Sequence, residues 1–200
     1  MSQFEIGRLL RSGTTGFVVG CRVNQPAAPA FGALVRVSLE NDYHVYGLVH
    51  DIHIDDDGLV RQLVTAAEVS ETVIADQRAN RNVPIEMSVL AVGYRQGQKV
   101  SHLLPPRPPL SLDAIYLCDE AELCRFTGTG RFGYFRHVLR ASNLPVDDLL
   151  AAHIQQAREA HQRGGNPEWD RTATQELIAL LRDDYPSLMR VLGALGSIYT

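Results

Sequence analysis

Cysteine is scarce in this chain. Only Cys21, Cys118 and Cys124 occur, an odd number without framework spacing, so a disulfide-stapled fold is not expected. The thiols read as reduced, with Cys118 and Cys124 as small core residues. Long hydrophobic runs are missing too. No stretch approaches the ~20 apolar residues that cross a bilayer, and the opening MSQFEIGRLL lacks the apolar centre of a signal peptide. Excess positive charge is also lacking. The 19 basic and 23 acidic residues leave a formal charge of -4, which argues against nucleic-acid binding by global charge but leaves a local basic patch open. The phosphate-binding pattern G-x-x-x-x-G-K-S/T occurs nowhere, so nothing is placed to cradle the β- and γ-phosphates of a nucleotide. These absences suggest a cytoplasmic protein that keeps away from membranes, needs no cofactor and has no motor.

What is present is ordinary for a globular protein: 200 residues, 45% apolar and 21% charged, enough for one generous domain or two small ones. The first half has a strand grammar. IGRLLRSGTTGFVVGCRV holds two runs around a Ser12–Gly16 turn, and NQPAAPAFG reads as a loop because Pro26 and Pro29 remove backbone donors. ALVRVSL alternates Leu34 and Arg36 with Val35 and Val37, the pattern of a half-exposed strand. Asn41-Asp42 turns the chain into YHVYGLVHDIHI, which Asp55, Asp56, Asp57 and Gly58 should stop. LVRQLVTA and IEMSVLAVGYR read as further strands, with Gly97 in the next turn. Many short strands at short intervals favour a closed barrel, which removes exposed edges.

From Asp119 the pattern turns helical. DEAELCRFT places Asp119 and Glu120 at a helix N-terminus, and VDDLLAAHIQQAREAHQR follows Pro145 with apolar residues at helical spacing up to Gly164-Gly165. NPEWD reads as a link, and TATQELIALLRDD and PSLMRVLGALGSIY as two more helices. The expected class is α+β: a small closed β-barrel over 1-118, Pro-rich connector included, then a helical extension over 119-200. The tail's amphipathic helices should pack back on the barrel, with pairing to another chain as the second reading.

Four features together resemble the HAS barrel, the small barrel at the N-terminus of HerA-type DNA-translocating ATPases and of ATP synthase catalytic subunits. They are the opening Ile6-Gly7-Arg8 strand, the strand ending in GLVHDI, the late strand with Ala91, Val92 and Gly93, and the Pro-rich connection into an apolar strand and an acidic short helix. The resemblance covers roughly the first two-thirds of the chain. It implies a non-enzymatic docking or assembly module in a DNA-processing complex, with a NurA-type nuclease or HerA-type ATPase as partner and self-assembly possible. The chain departs from that family in entering helices where an ATPase domain would follow. On this reading Pro105, Pro106, Pro108 and Pro109 form a stiff strut inside the barrel region. A ligand for another protein's aromatic groove is disfavoured, because Leu103, Leu104, Leu110, Leu112, Ile115 and Leu117 embed the run in strand-forming sequence.

Candidate sites are few. Arg125, Arg131, Arg136, His137 and Arg140, interleaved with Phe126, Phe132, Tyr134 and Phe135, form one locally basic aromatic segment suited to a protein or nucleic-acid partner. The alternative for this segment is aromatics in the core and solvated arginines. His44, His50, Asp51, His53 and Asp55 to Asp57 could serve a small metal- or ligand-binding barrel enzyme. Alternation, however, puts His44 and His50 on one strand face and Asp51 and His53 on the other, so no metal set converges. Asp55, Asp57 and Gly58 start like a calcium loop without its closing Glu. Gly128 to Gly133 matches G-x-G-x-x-G without a βαβ context and reads as a turn. Cys118 or Cys124 with His137 would be a nucleophile and base only if they met.

Overall fold

A computed structural model describes residues 4–21, 29–54, 65, 70–72 and 85–198. The strands are β1 (Glu5–Ser12), β2 (Gly16–Cys21), β3 (Leu34–Leu39), β4 (Tyr43–Ile54), β5 (Ile85–Gln96), β6 (Lys99–Ser101) and β7 (Ala114–Leu117). They run in the order β2-β1-β7-β3-β4-β5-β6, and β2 pairs again with β5. That last pairing closes a six-strand antiparallel barrel, with β6 hanging on β5 outside the ring. Closure gives each of the six ring strands a pairing partner on both sides.

Alternation fills the barrel. Phe17, Val19 and Cys21 of β2 and Ile85, Met87 and Val89 of β5 point inward with Ile6, Leu9, Val35, Val37, Val45, Val49 and Ile115. Outward residues of β3, β4 and β5, namely Leu34, Tyr46, Leu48 and Val92, belong to a second cluster shared with the helices. Asn41 and Asp42 take φ of 59° and 52° in the β3–β4 turn, a conformation their short polar side chains tolerate.

β3 is not half-exposed as its alternation suggests. Leu34, Val35, Arg36 and Val37 are all buried, because helices cover the face opposite the barrel interior. LVRQLVTA lies outside the described residues except for Thr65, which is helical; the stop at residues 55–58 also lies outside them.

Residues 102–113 connect β6 to β7, with Pro105 and Pro109 buried. The connector is tied to β1 by Leu112 N–H to Leu9 O at 2.8 Å and by Arg8 Nη1 to Leu112 O at 3.1 Å. The strut reading fits that anchoring, but its flanks differ from expectation. Ile115 and Leu117 lie in β7, whereas Leu103, Leu104, Leu110 and Leu112 lie outside any strand and are exposed.

The C-terminal stretch holds α1 (Glu120–Thr127), a 3-10 turn (Gly130–Phe132), α2 (Phe135–Arg140), α3 (Val146–Arg163), α4 (Trp169–Leu180) and α5 (Tyr185–Gly196). Asp119 caps α1 by accepting from Glu122 N–H at 2.8 Å, with Glu120 and Glu122 in the first turn. Gly164 and Gly165, the latter at φ 86°, end α3 as its sequence indicates. Trp169 and Asp170 open α4 instead of ending a link; the indole is buried and tied into the helical core.

The tail packs back on the barrel, and Gly32 marks how closely. Its φ is 82°, and a Cβ there would sit 2.8 Å from His153 N and 2.9 Å from Ala152 Cβ of α3. Gly32→Ala should therefore cost about 1–3 kcal/mol through strain and forced separation of α3. Urea denaturation reads this directly, and an unchanged midpoint would mean that the seam has slack.

Candidate functional site

The densest polar constellation lies where α1 meets β3 and β4. Arg36 Nε donates to Glu122 Oε2 at 2.8 Å, and the Tyr46 hydroxyl donates to Glu122 Oε1 at 2.8 Å. Arg36 Nη1 donates to Ser38 Oγ and approaches His44 Nδ1 at 3.3 Å, while the guanidinium carbon lies 5.3 Å from the centre of the Tyr116 ring. A guanidinium can only donate, so His44 Nδ1 accepts and its Nε2–H donates to Asp42 Oδ1 at 2.8 Å. Asp42 also takes Arg95 Nη2 at 3.0 Å.

Two ion pairs, Arg36 with Glu122 and Arg95 with Asp42, are thus joined through the neutral His44 ring. Burial raises the Tyr46 hydroxyl above its ordinary range, with Glu122 adding to the effect. The Cys118 thiol is raised by burial and by Glu122, so it is not a ready nucleophile. This network locks helix to barrel. Neither Arg36 nor Glu122 stood out in the sequence. The available signal was the β3–β4 register, whose outward pairs Leu34–Leu48 and Arg36–Tyr46 are too apolar for a solvated face.

Four histidines extend the seam. His153 Nδ1 donates to Gly32 O at 3.0 Å, which leaves Nε2 to accept from the buried Tyr134 hydroxyl at 3.1 Å. Thr127 Oγ1 donates to Leu123 O, so it accepts from His161 Nε2–H at 2.8 Å, and the His161 ring stacks on Trp169. His102 Nε2 donates to Phe126 O at 3.0 Å, and His137 Nε2 donates to His102 O at 2.8 Å. His137 is thereby committed to the backbone, and burial raises the Cys118 and Cys124 thiols. A Cys–His nucleophile is not assembled here.

The basic aromatic segment splits in two. Phe126, Phe132, Tyr134 and Phe135 are buried and stack among themselves and on Trp169, so they are core, not surface. Arg125, Arg131, Arg136 and Arg140 are exposed, and none forms an ion pair among the described residues. From Leu123 to Val146 the chain has no carboxylate side chain at all. Arg136 and Arg140 are four apart on α2 and share a face. The exposed Leu103 and Leu104 follow His102, whose carbonyl holds His137 of the same helix. Gly128 to Gly133 forms the turn between α1 and α2, with Gly130, Arg131 and Phe132 all at positive φ.

The metal candidates do not converge. Register shifts between Tyr46 and Gly47 and between Val49 and Asp51 break the alternation of β4. His44 joins the Arg36 network, His50 lines a cavity on the barrel, and Asp51 and His53 are exposed. Among the described residues, no group of three or more His, Cys, Asp or Glu could hold a metal ion. Residues 55–57 lie outside those described. Among the described residues, no helix is long and apolar enough to cross a membrane. No known protein family matches the chain, and no curated protein matches its sequence significantly.

Proposed function

We propose that the chain is a non-catalytic interaction module, a HAS-barrel-like body that docks an acidic protein partner through the arginine face of α1 and α2. One observation supports this most: Arg125, Arg131, Arg136 and Arg140, exposed and without an ion pair among the described residues, stand on elements whose aromatic side chains are buried. Buried anchors hold the arginines on a rigid base, so little is lost in ordering them against a partner. The face is built from arginine alone, and Lys99 is the single lysine of the chain. Arginine forks suit bidentate carboxylate contacts better than lysine does.

A protein partner is favoured over a nucleic-acid strand for two reasons. The rings that would stack bases are in the core, and exposed Leu103 and Leu104 beside α2 supply apolar contact area. The HAS-barrel resemblance makes a NurA-type nuclease or a HerA-type ATPase the partner to try first, in a DNA-processing complex.

The test is calorimetric binding to each purified candidate of those two types from the same genome, with wild type and Arg131→Glu/Arg136→Glu/Arg140→Glu. Reversing three charges should weaken binding at least about 100-fold and flatten its salt dependence. Undiminished binding of the variant, or no binding to any candidate, sinks the proposal.

A further inference from the structure

The barrel wall carries a cavity of about 300 Å³ whose described lining residues all belong to the barrel, from β1, β2, β4 and β5 and the β1–β2 turn. Arg11, Ser12, Thr15, His50 and Ser88 supply its polar groups, and among the described residues no carboxylate side chain lines it. Three local features look constructed. Val49 pairs with Val89 and Asp51 with Ser88, so His50 is the extra residue of a β-bulge, the device by which a strand re-aims one side chain.

Ser12 Oγ is buried without a hydrogen-bond partner, an orphan polar atom in the cavity lining. Gly16 lets β2 close on β5 at this point, since a Cβ there would stand 2.5 Å from Val89 O. Register adds the spacing: Arg11 pairs with Val18 and Val18 with Ser88, which sets Arg11 and Ser88 two strands, about 10 Å, apart.

Arg11 forms no ion pair or side-chain hydrogen bond among the described residues. Burial lowers the His50 pKa, with the Asp51 carboxylate opposing from outside the lining. We propose that this cavity binds a small oxyanion, carboxylate or phosphate, with Arg11 as counter-ion and the Ser12, Thr15 and Ser88 hydroxyls as donors. An anion supplies an acceptor for the orphan hydroxyl and a counter-charge for the exposed Arg11. This site is independent of the arginine face on α1 and α2.

The experiment is an NMR titration of the whole chain with inorganic phosphate and, separately, with malonate, at chloride-matched ionic strength. The His50 ring and the Ser12 and Thr15 amides should shift saturably with one of the two, at a Kd of about 10 mM or tighter. Arg11→Gln should weaken that binding about tenfold or more, while Arg131→Glu/Arg136→Glu/Arg140→Glu should bind as wild type does. Ser88→Ala serves as a second variant if Arg11→Gln does not fold. No saturable shift with either anion up to about 50 mM overturns the proposal, as does binding that these cavity variants leave unaltered. Loss of binding in the α2 variant would move the site to the other face and overturn it as well.

Discussion

Glu122→Leu should destabilise the protein by about 3–5 kcal/mol, because it strands a buried guanidinium. Arg36 is 4% exposed, and its short ion pair to Glu122 is what offsets its desolvation. The same substitution orphans the Tyr46 hydroxyl, whose acceptor is the other oxygen of that carboxylate. Arg36→Met should cost less, since Glu122 keeps Tyr46 and reaches some solvent. The double variant Arg36→Met/Glu122→Leu should recover much of the loss, as replacing a whole buried pair by apolar groups is often nearly neutral. Urea denaturation of the four proteins gives the coupling energy. A cost below about 1 kcal/mol for Glu122→Leu would mean that the pair is solvated in solution.

Acid should weaken the fold through His153. Burial lowers its pKa from 6.5 to about 4, since a charged ring cannot be solvated between α3, Gly32 and Tyr134. The folded value lies below the unfolded one, so between them the unfolded chain holds a proton that the folded chain does not. Stability from this group is therefore full above pH 6.5 and is lost as pH falls toward about 4. Its size is about 3 kcal/mol at 1.36 kcal/mol per pH unit.

His44, His50, His102 and His161 are also lowered, each chiefly by burial, and should add in the same direction. Denaturation midpoints should change little from pH 7.5 to about 6.5 and then fall progressively to pH 4.5 in wild type. His153→Gln, less stable at neutral pH, should show a shallower fall. An equal slope in the two proteins would assign the acid sensitivity elsewhere.

Much of the fold could be read before the structure. Strand runs bounded by Ser12–Gly16, Asn41-Asp42 and Gly97 fell at the observed turns, because turn residues and alternation are local signals. Asp119, Pro145 and Gly164-Gly165 likewise marked helix ends. What escaped was non-local. Arg36 looks solvent-facing until α1 arrives on top of it, more than eighty residues along the chain.

For the aromatic half of the segment from Arg125 to Arg140 a surface and a core reading both stood open, because composition cannot say which side of a helix is covered; the rings are core. The β4 alternation failed at its bulges, which period-two counting cannot foresee. Leu103, Leu110 and Leu112 read as strand residues, yet a proline-fixed connector leaves them 60%, 71% and 71% exposed.

A partner docked by the arginines would leave its footprint on them. Hydrogen–deuterium exchange of this protein, alone and saturated with a NurA-type or HerA-type candidate that binds it, tests that placement most directly. Peptides covering residues 125–140, with the neighbouring 102–104, should gain protection in the complex while the β1 and β2 peptides remain unchanged. Protection confined to the β1–β2 wall or the 105–112 connector, with 125–140 exchanging as in the free protein, would contradict the account.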